Sequence, residues 1–133
     1  MPPETLDNVC RLARQNWCLY EPLRAPRPDT MLCDLRVRDY IHKGKDYLLV
    51  WRLRVPEPHR RKQYATLAMA ALCAEADVWR VPMCLRAVPD LDTIPSDDLV
   101  AFYGRFGFVP ELIGCRFLLR EPKELSCQPT TSP

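Results

Sequence analysis

Residues 47–79, YLLVWRLRVPEPHRRKQYATLAMAALCAEADVW, decide the fold. Residues 47–51 are apolar without a break, the pattern of a strand buried on both faces and central in its sheet. Pro56 and Pro58 stop that strand. A basic segment follows, His59-Arg60-Arg61-Lys62, and then a helix over residues 64–79. The helix is rich in Ala, Leu and Met and nearly apolar around its circumference, which predicts burial all round. Arg80 falls in its last turn, where a cation suits the dipole. The unit reads as strand, basic turn, helix.

Upstream, residues 31–38 alternate. Met31, Cys33, Leu35 and Val37 point one way and Leu32, Asp34, Arg36 and Arg38 the other, a half-buried strand. With a turn over residues 42–46 and the strand over 47–55, this predicts a hairpin. Pro22, Pro26 and Pro28 break the chain before it, as a loop or a polyproline-like connector. Residues 5–17 read as a helix capped by Thr5, with Val9, Leu12, Ala13 and Trp17 on one face. No strand is evident ahead of the hairpin.

Downstream, residues 83–88 are a short apolar strand between Pro82 and Pro89. An acidic loop with Asp90 and Asp92 leads to a helix capped by Ser96, with Asp97 and Asp98 in its first turn. That helix buries Leu99, Phe102, Tyr103 and Phe106 and stops at Gly107. Residues 115–119 form a last strand, and residues 121–133 read as a disordered tail. The order helix, hairpin, helix, strand, helix, strand predicts an α/β sandwich with a mixed sheet.

The chain has 133 residues, the size of one domain. Residues 1–120 form that domain, and residues 1–28 are its N-terminal helix and connector. Hydrophobic residues make up 47% and charged residues 27%, which excludes wholesale disorder. A net charge of +2 is too weak to make nucleic acid or an anionic membrane an obligatory partner. Fourteen prolines against four glycines exclude collagen and flexible Gly-rich linkers. Seven cysteines, an odd count with no Cys-x-x-Cys pair, give no support to a zinc site. The opening MPPETLDNVC has no basic n-region followed by an apolar stretch, and no apolar run is long enough to span a bilayer. These features point to a cytoplasmic protein whose thiols are small buried hydrophobes.

A helix N-terminus carries unpaired N–H groups and partial positive charge, so the basic turn is a candidate anion site. Taken alone, a basic turn is commonly just solvated. The second unit adds weight. VPEPHRRKQYATLAMAAL, followed by a strand and then DDLVAFYGRFGFVP, resembles the GNAT N-acetyltransferase superfamily over residues 30–120. The family has an Arg-x-x-Gly-x-Gly/Ala turn leading into a helix, and later a helix ending Phe-Tyr-x-x-x-Gly-Phe. The matching pieces here are Arg60-Arg61-Lys62-Gln63-Tyr64-Ala65 and Phe102-Tyr103-Gly104-Arg105-Phe106-Gly107-Phe108.

The resemblance implies a mostly antiparallel sheet flanked by helices, with one parallel pair splayed open between residues 53–55 and 83–88. Acetyl-CoA would be the acyl donor, with no metal, and a primary amine of a small molecule, peptide or protein the acceptor. Leu53, Arg54 and Val55 would pair with the pantetheine arm, and a backbone N–H near Val55 would stabilise the oxyanion. Arg60, Arg61, Lys62, Gln63, Tyr64, Ala65 and Thr66 would hold the pyrophosphate, with the Thr66 hydroxyl as an extra donor. Tyr103 matches the family tyrosine that protonates the departing thiolate; by pattern alone it is equally a core residue. Glu57 is a general base through water, or plain surface. Ser96 stands where many members carry a cofactor-contacting Asn, or simply caps its helix.

Gln63 departs from the family glycine, and a Gln keeps such a turn if φ stays negative. The other reading is therefore a GNAT-fold binding protein with weak or lost catalysis. His59 could assist phosphate, and His42 reads as a solvated turn residue. Arg36, Arg38, Arg52 and Arg54 read as the hairpin's exposed face, without the aromatic platforms of a nucleic-acid site. Trp17, Trp51 and Trp79 read as core or interface anchors, and exposed sheet edges are compatible with a homodimer.

Overall fold

The computed structural model describes residues 3–59, 62–87 and 96–123. In chain order its elements are α1 (Pro3–Ala13), β1 (Leu19–Tyr20), β2 (Met31–His42), β3 (Lys45–Arg54), α2 (Tyr64–Val78), β4 (Met83–Arg86), α3 (Ser96–Gly104), β5 (Val109–Pro110) and β6 (Phe117–Arg120). The strands form a six-stranded sheet in the order β1-β2-β3-β4-β6-β5. Every neighbouring pair is antiparallel except β3 and β4. The α/β class expected from the sequence, a mostly antiparallel mixed sheet with one parallel pair, is the one adopted.

A parallel pair needs a crossover, and α2 is that crossover. Ala68, Met69, Leu72, Cys73 and Ala76 bury one side of α2 in a core shared with Leu35, Leu48, Val50 and Leu85. Burial of Met69 and Leu72 is worth about 1.5–3 kcal/mol each. The opposite side corrects the expectation of burial all round. Leu67 and Val78 are 56% and 51% exposed, and Ala70, Ala71 and Ala74 are exposed with them. Those alanines favour the helix through propensity rather than packing. At the C-terminus, Val81 N–H reaches the Ala76 carbonyl (2.8 Å) and Arg80 N–H reaches Asp77 (3.3 Å), with Arg80 left-handed at φ 55°. This is a Schellman stop with Arg in the usual glycine place, so Arg80 lies past the helix and not in its last turn.

The hairpin turns on Lys43–Gly44, φ 53° and 76°, tighter than a turn over residues 42–46. Two left-handed residues match the strand twist, so β2 runs on to His42. The tip is tied to β5 and β6. His42 Nε2 lies 2.7 Å and Lys43 Nζ 3.0 Å from Glu111 Oε2, Lys45 pairs with Glu121, and the His42 ring packs 4.6 Å from that of Phe117. His42 is thus a packed, hydrogen-bonded residue and not a solvated one.

At the N-terminus, α1 begins at Pro3, whose missing N–H costs nothing in the first turn, so Thr5 lies inside the helix. The helix ends at Ala13 because Trp17 turns back and its indole N–H caps the Leu12 carbonyl at 2.8 Å. A strand the sequence did not announce follows: Leu19 pairs with Cys33 and Tyr20 with Met31. The proline-rich connector is a loop ending in a 3-10 turn (Pro28–Thr30). It is stapled by the fully buried Thr30 hydroxyl, which lies 3.0 Å from the Ala25 and Arg27 carbonyls.

Downstream boundaries shift by a few residues. β4 stops at Arg86, α3 at Gly104, and β6 spans 117–120 with a two-residue partner, β5. Residues 115 and 116 serve the preceding loop instead: Cys115 N–H bonds Leu112 and the Arg116 carbonyl accepts Ala87 N–H. The acidic loop with Asp90 and Asp92 lies outside the described residues, as does the expected tail beyond residue 123. Lys123 itself is anchored, its N–H 2.9 Å from Asp77.

Candidate active site

The parallel ladder is short: Leu48, Leu49 and Val50 lie against Met83, Cys84 and Leu85. Beyond Val50, β3 continues to Arg54 in register with β2, through Arg36↔Arg52, Leu35↔Leu53 and Asp34↔Arg54, while its ladder with β4 ends at Val50↔Leu85. β3 and β4 therefore part company after Val50, and the opening expected at residues 53–55 begins just before them. The β2–β3 register slips at this point. Arg36 faces Arg52 and Val37 faces Val50, so Trp51 is the extra residue of a bulge and is 54% exposed. Of the two readings given to it, core or interface anchor, Trp51 does not fit the first.

The N-terminus of α2 lies at the same end of the sheet, because a helix that connects two parallel strands runs back antiparallel to them. Gln63 precedes the helix with φ 68° and ψ 16°. The negative φ expected for a Gln is not what the turn uses; it keeps the left-handed geometry a glycine would take. This costs about 1–2 kcal/mol, less than the packing of Met69 and Leu72 returns. The Gln63 side chain does not cap the helix and the first turn holds no acidic residue, so the helix dipole leaves the start of α2 electropositive. The Thr66 hydroxyl donates to Gln63 Oε1 at 3.2 Å instead of standing free. Lys62 and Gln63 are exposed beside Tyr64, whose ring meets His59 edge-on at 6.1 Å. Arg60 and Arg61 lie outside the described residues, as do the side chains of Glu57 and Ser96.

Tyr103 is 7% exposed on α3, against Phe102 (5.2 Å between rings) and Phe108 (5.9 Å). Burial, with a smaller contribution from the nearby Cys33 thiol, pushes its hydroxyl up to about 12. Tyr103 shares the buried core with Cys33, the residue before Asp34, whose partner on β3 is Arg54. Leu53 and Arg54 end β3, at the end of the sheet where the crossover to α2 begins.

Sequence reasoning missed Asp34. Burial opposes its ionisation most, yet hydrogen bonds from Arg36 Nε (2.6 Å), Arg52 Nε (2.7 Å) and Cys18 Sγ (3.5 Å) outweigh it and hold the carboxyl below its ordinary value. The arginines taken as an exposed face are thereby organised. Alternation had placed Asp34 outward, but cross-strand Arg52 is visible only once the register is known. Burial pushes the thiols of Cys33 and Cys84 up to about 12 and that of Cys73 to about 11, so they are packing groups, not nucleophiles. No cluster of three metal-ligating side chains occurs, and no helix is long and apolar enough to cross a membrane, among the described residues.

No protein-family model matches the sequence, and no curated protein does. Solved structures do. AtaTR, crystallised with AcCoA, is similar at 13% identity and TM-score 0.51 over 71% of this chain and 61% of that one. KacTA, in a complex with DNA, is similar at 15% and 0.50 over 78% and 65%. Arabidopsis thaliana Naa50, in complex with the bisubstrate analogue CoA-Ac-MVNAL, is 12% identical with a TM-score of 0.49 over 92% and 95%. The chain spans less than two thirds of AtaTR and of KacTA. At these identities the likeness is one of fold, and that fold is the GNAT acetyltransferase fold.

Proposed function

We propose that this chain, which has the GNAT fold, is an acetyl-CoA-dependent N-acetyltransferase acting on a primary amine. One observation carries the reading: β3 and β4 separate after Val50, with the electropositive start of α2 at the same end and Tyr103 buried in the core. The pyrophosphate would lie on the N–H groups of Tyr64, Ala65 and Thr66, where the helix field favours an anion. Lys62 adds charge, with Arg60 and Arg61 on the approach. The pantetheine arm would run along residues 53–55, past the end of the β3–β4 ladder. In the reaction a neutral amine attacks the thioester carbonyl carbon. A C–N bond forms, the C–S bond breaks, the amine proton passes to water, with Glu57 a candidate to relay it, and the thiolate takes a proton from Tyr103. A hydroxyl at about 12 is a weak acid, but the same burial destabilises the leaving thiolate and brings the two proton affinities together.

A second reading, a GNAT-fold binding protein without turnover, is favoured by the Gln63 side chain. It reaches the first turn of α2 and engages Thr66, where phosphate oxygens would lie. Titration calorimetry of acetyl-CoA into parent and Tyr103→Phe proteins separates the readings. Micromolar binding to both, with slow thioester hydrolysis only by the parent, supports the enzyme. No binding at millimolar acetyl-CoA overturns it and leaves the scaffold.

A further inference from the structure

A groove of about 320 Å³ runs between the end of α1, β1 and the outer part of β2, and Trp51 forms one wall. Its place follows from the bulge. Trp51 comes directly after Val50, the last residue in register with β4, so the groove reaches β3 where the parallel pair opens. A volume near 300 Å³ suits a small molecule. The polar groups of its lining are already sorted. Asn16 accepts the Cys18 N–H at 2.9 Å and donates to the Tyr20 oxygen at 3.2 Å, so the Tyr20 hydroxyl proton is left to donate elsewhere. Arg36 and Arg52 share the single carboxylate of Asp34, and no described carboxylate pairs with Arg14. The groove is therefore net cationic, and no carboxylate lines it. Its half-exposed indole is a flat apolar platform in a place where most of a Trp would ordinarily be covered.

We infer that this groove takes the acceptor, and that the acceptor is a primary amine carrying both a planar ring and an anionic group, the chemistry of an aromatic amino acid. The ring would lie on Trp51, with the anion between Arg14 and the Tyr20 hydroxyl. A polyamine or a lysine-rich segment would meet repulsion with no counter-charge. The assignment rests on the acetyl-transfer reading, but its test does not need acetyl-CoA.

L-phenylalanine, 2-phenylethylamine and spermidine are titrated calorimetrically into the full chain, into Trp51→Ala and Arg14→Gln, and into Trp51→Phe as a milder variant. The expected result is phenylalanine binding at least tenfold tighter than phenylethylamine, with no spermidine binding. Trp51→Ala and Arg14→Gln, folded with the parent's thermal midpoint, should each lose tenfold, and Trp51→Phe should retain most of the affinity. If Trp51→Ala fails to fold, Trp51→Phe and Arg14→Gln decide. Equal or tighter binding of phenylethylamine or spermidine, unchanged affinity in Arg14→Gln, or binding of acetyl-CoA with none of the three amines would overturn the assignment. Phenylalanine binding without acetyl-CoA binding would instead retain the groove and remove the acetyl-transfer reading.

Discussion

Gln63 and Thr66 face each other across the first turn of α2, with the threonine hydroxyl 3.2 Å from Gln63 Oε1, while the Gln63 backbone is left-handed at φ 68°. Two separate effects meet in one residue: backbone strain, and a side chain over the anion seat. Gln63→Gly removes both and Gln63→Ala only the second. Both variants should bind CoA several-fold more tightly than the parent. Only the Gly variant should gain stability, by up to about 1 kcal/mol after its larger unfolded-state entropy is counted. Calorimetry and thermal melts check this, and equal affinity in all three proteins would show that the side chain leaves the seat open.

Asp77 and Arg120 make a buried polar junction away from the candidate site. The guanidinium, 2% exposed, is bidentate to Asp77 at 2.9 and 3.0 Å, and its Nε donates to the Phe106 carbonyl at 2.6 Å. The junction joins α2, the turn after α3, and β6. Asp77→Asn or Arg120→Met should each destabilise by about 3–5 kcal/mol, because each strands a buried partner. Replacing both, with Asn and Met together, should cost less than the sum of the two. Urea unfolding of the four proteins measures it, and additive losses would mean that the pair is not coupled.

Sequence pattern reached the hairpin, the helix after it and the mixed sheet, because apolar runs and Pro stops report strand burial directly; the parallel pair was what the family resemblance implied. It could not reach what depends on register. Trp51 continues the apolar run of β3, yet a single bulged residue turns it out to solvent. Arg120 falls just past the strand expected over residues 115–119. Only its alternation with Leu118 shows that it points inward, and only the fold brings Asp77 to it. Left-handed residues were invisible for a different reason. With four glycines in the chain, Leu23, Lys43, Gln63 and Arg80 take those conformations, and none of these residue types announces it.

The hairpin tip should loosen in acid. Hydrogen bonds from His42 and then Lys43 hold the Glu111 carboxyl below its ordinary value of 4.5. A carboxyl depressed in the folded state contributes stability that is complete above its unfolded pKa and fades as pH falls through the folded one. Amide exchange at residues 40–47 should therefore accelerate below about pH 4.5 in the parent. In Glu111→Gln it should be fast already at neutral pH. The same flat profile in both proteins would show that the ion pair does not hold the tip.

Tyr103 gives the last prediction, with the opposite sign. Its hydroxyl is raised to about 12, so the native state holds the proton more tightly than the unfolded chain, whose tyrosine titrates near 10. The resulting stability is complete below about pH 10 and is lost as pH rises toward 12. The ultraviolet difference between parent and Tyr103→Phe should show one tyrosine ionising about two units later than a free one. A difference spectrum titrating near 10 would mean that the hydroxyl is solvated. In turnover, a group that stays protonated that far into base sets no alkaline limit of its own. Tyr103→Phe should lower kcat by about 10²-fold or more while leaving the CoA affinity within a factor of a few. A parental kcat in Tyr103→Phe would return Tyr103 to the core and require another proton donor for the thiolate.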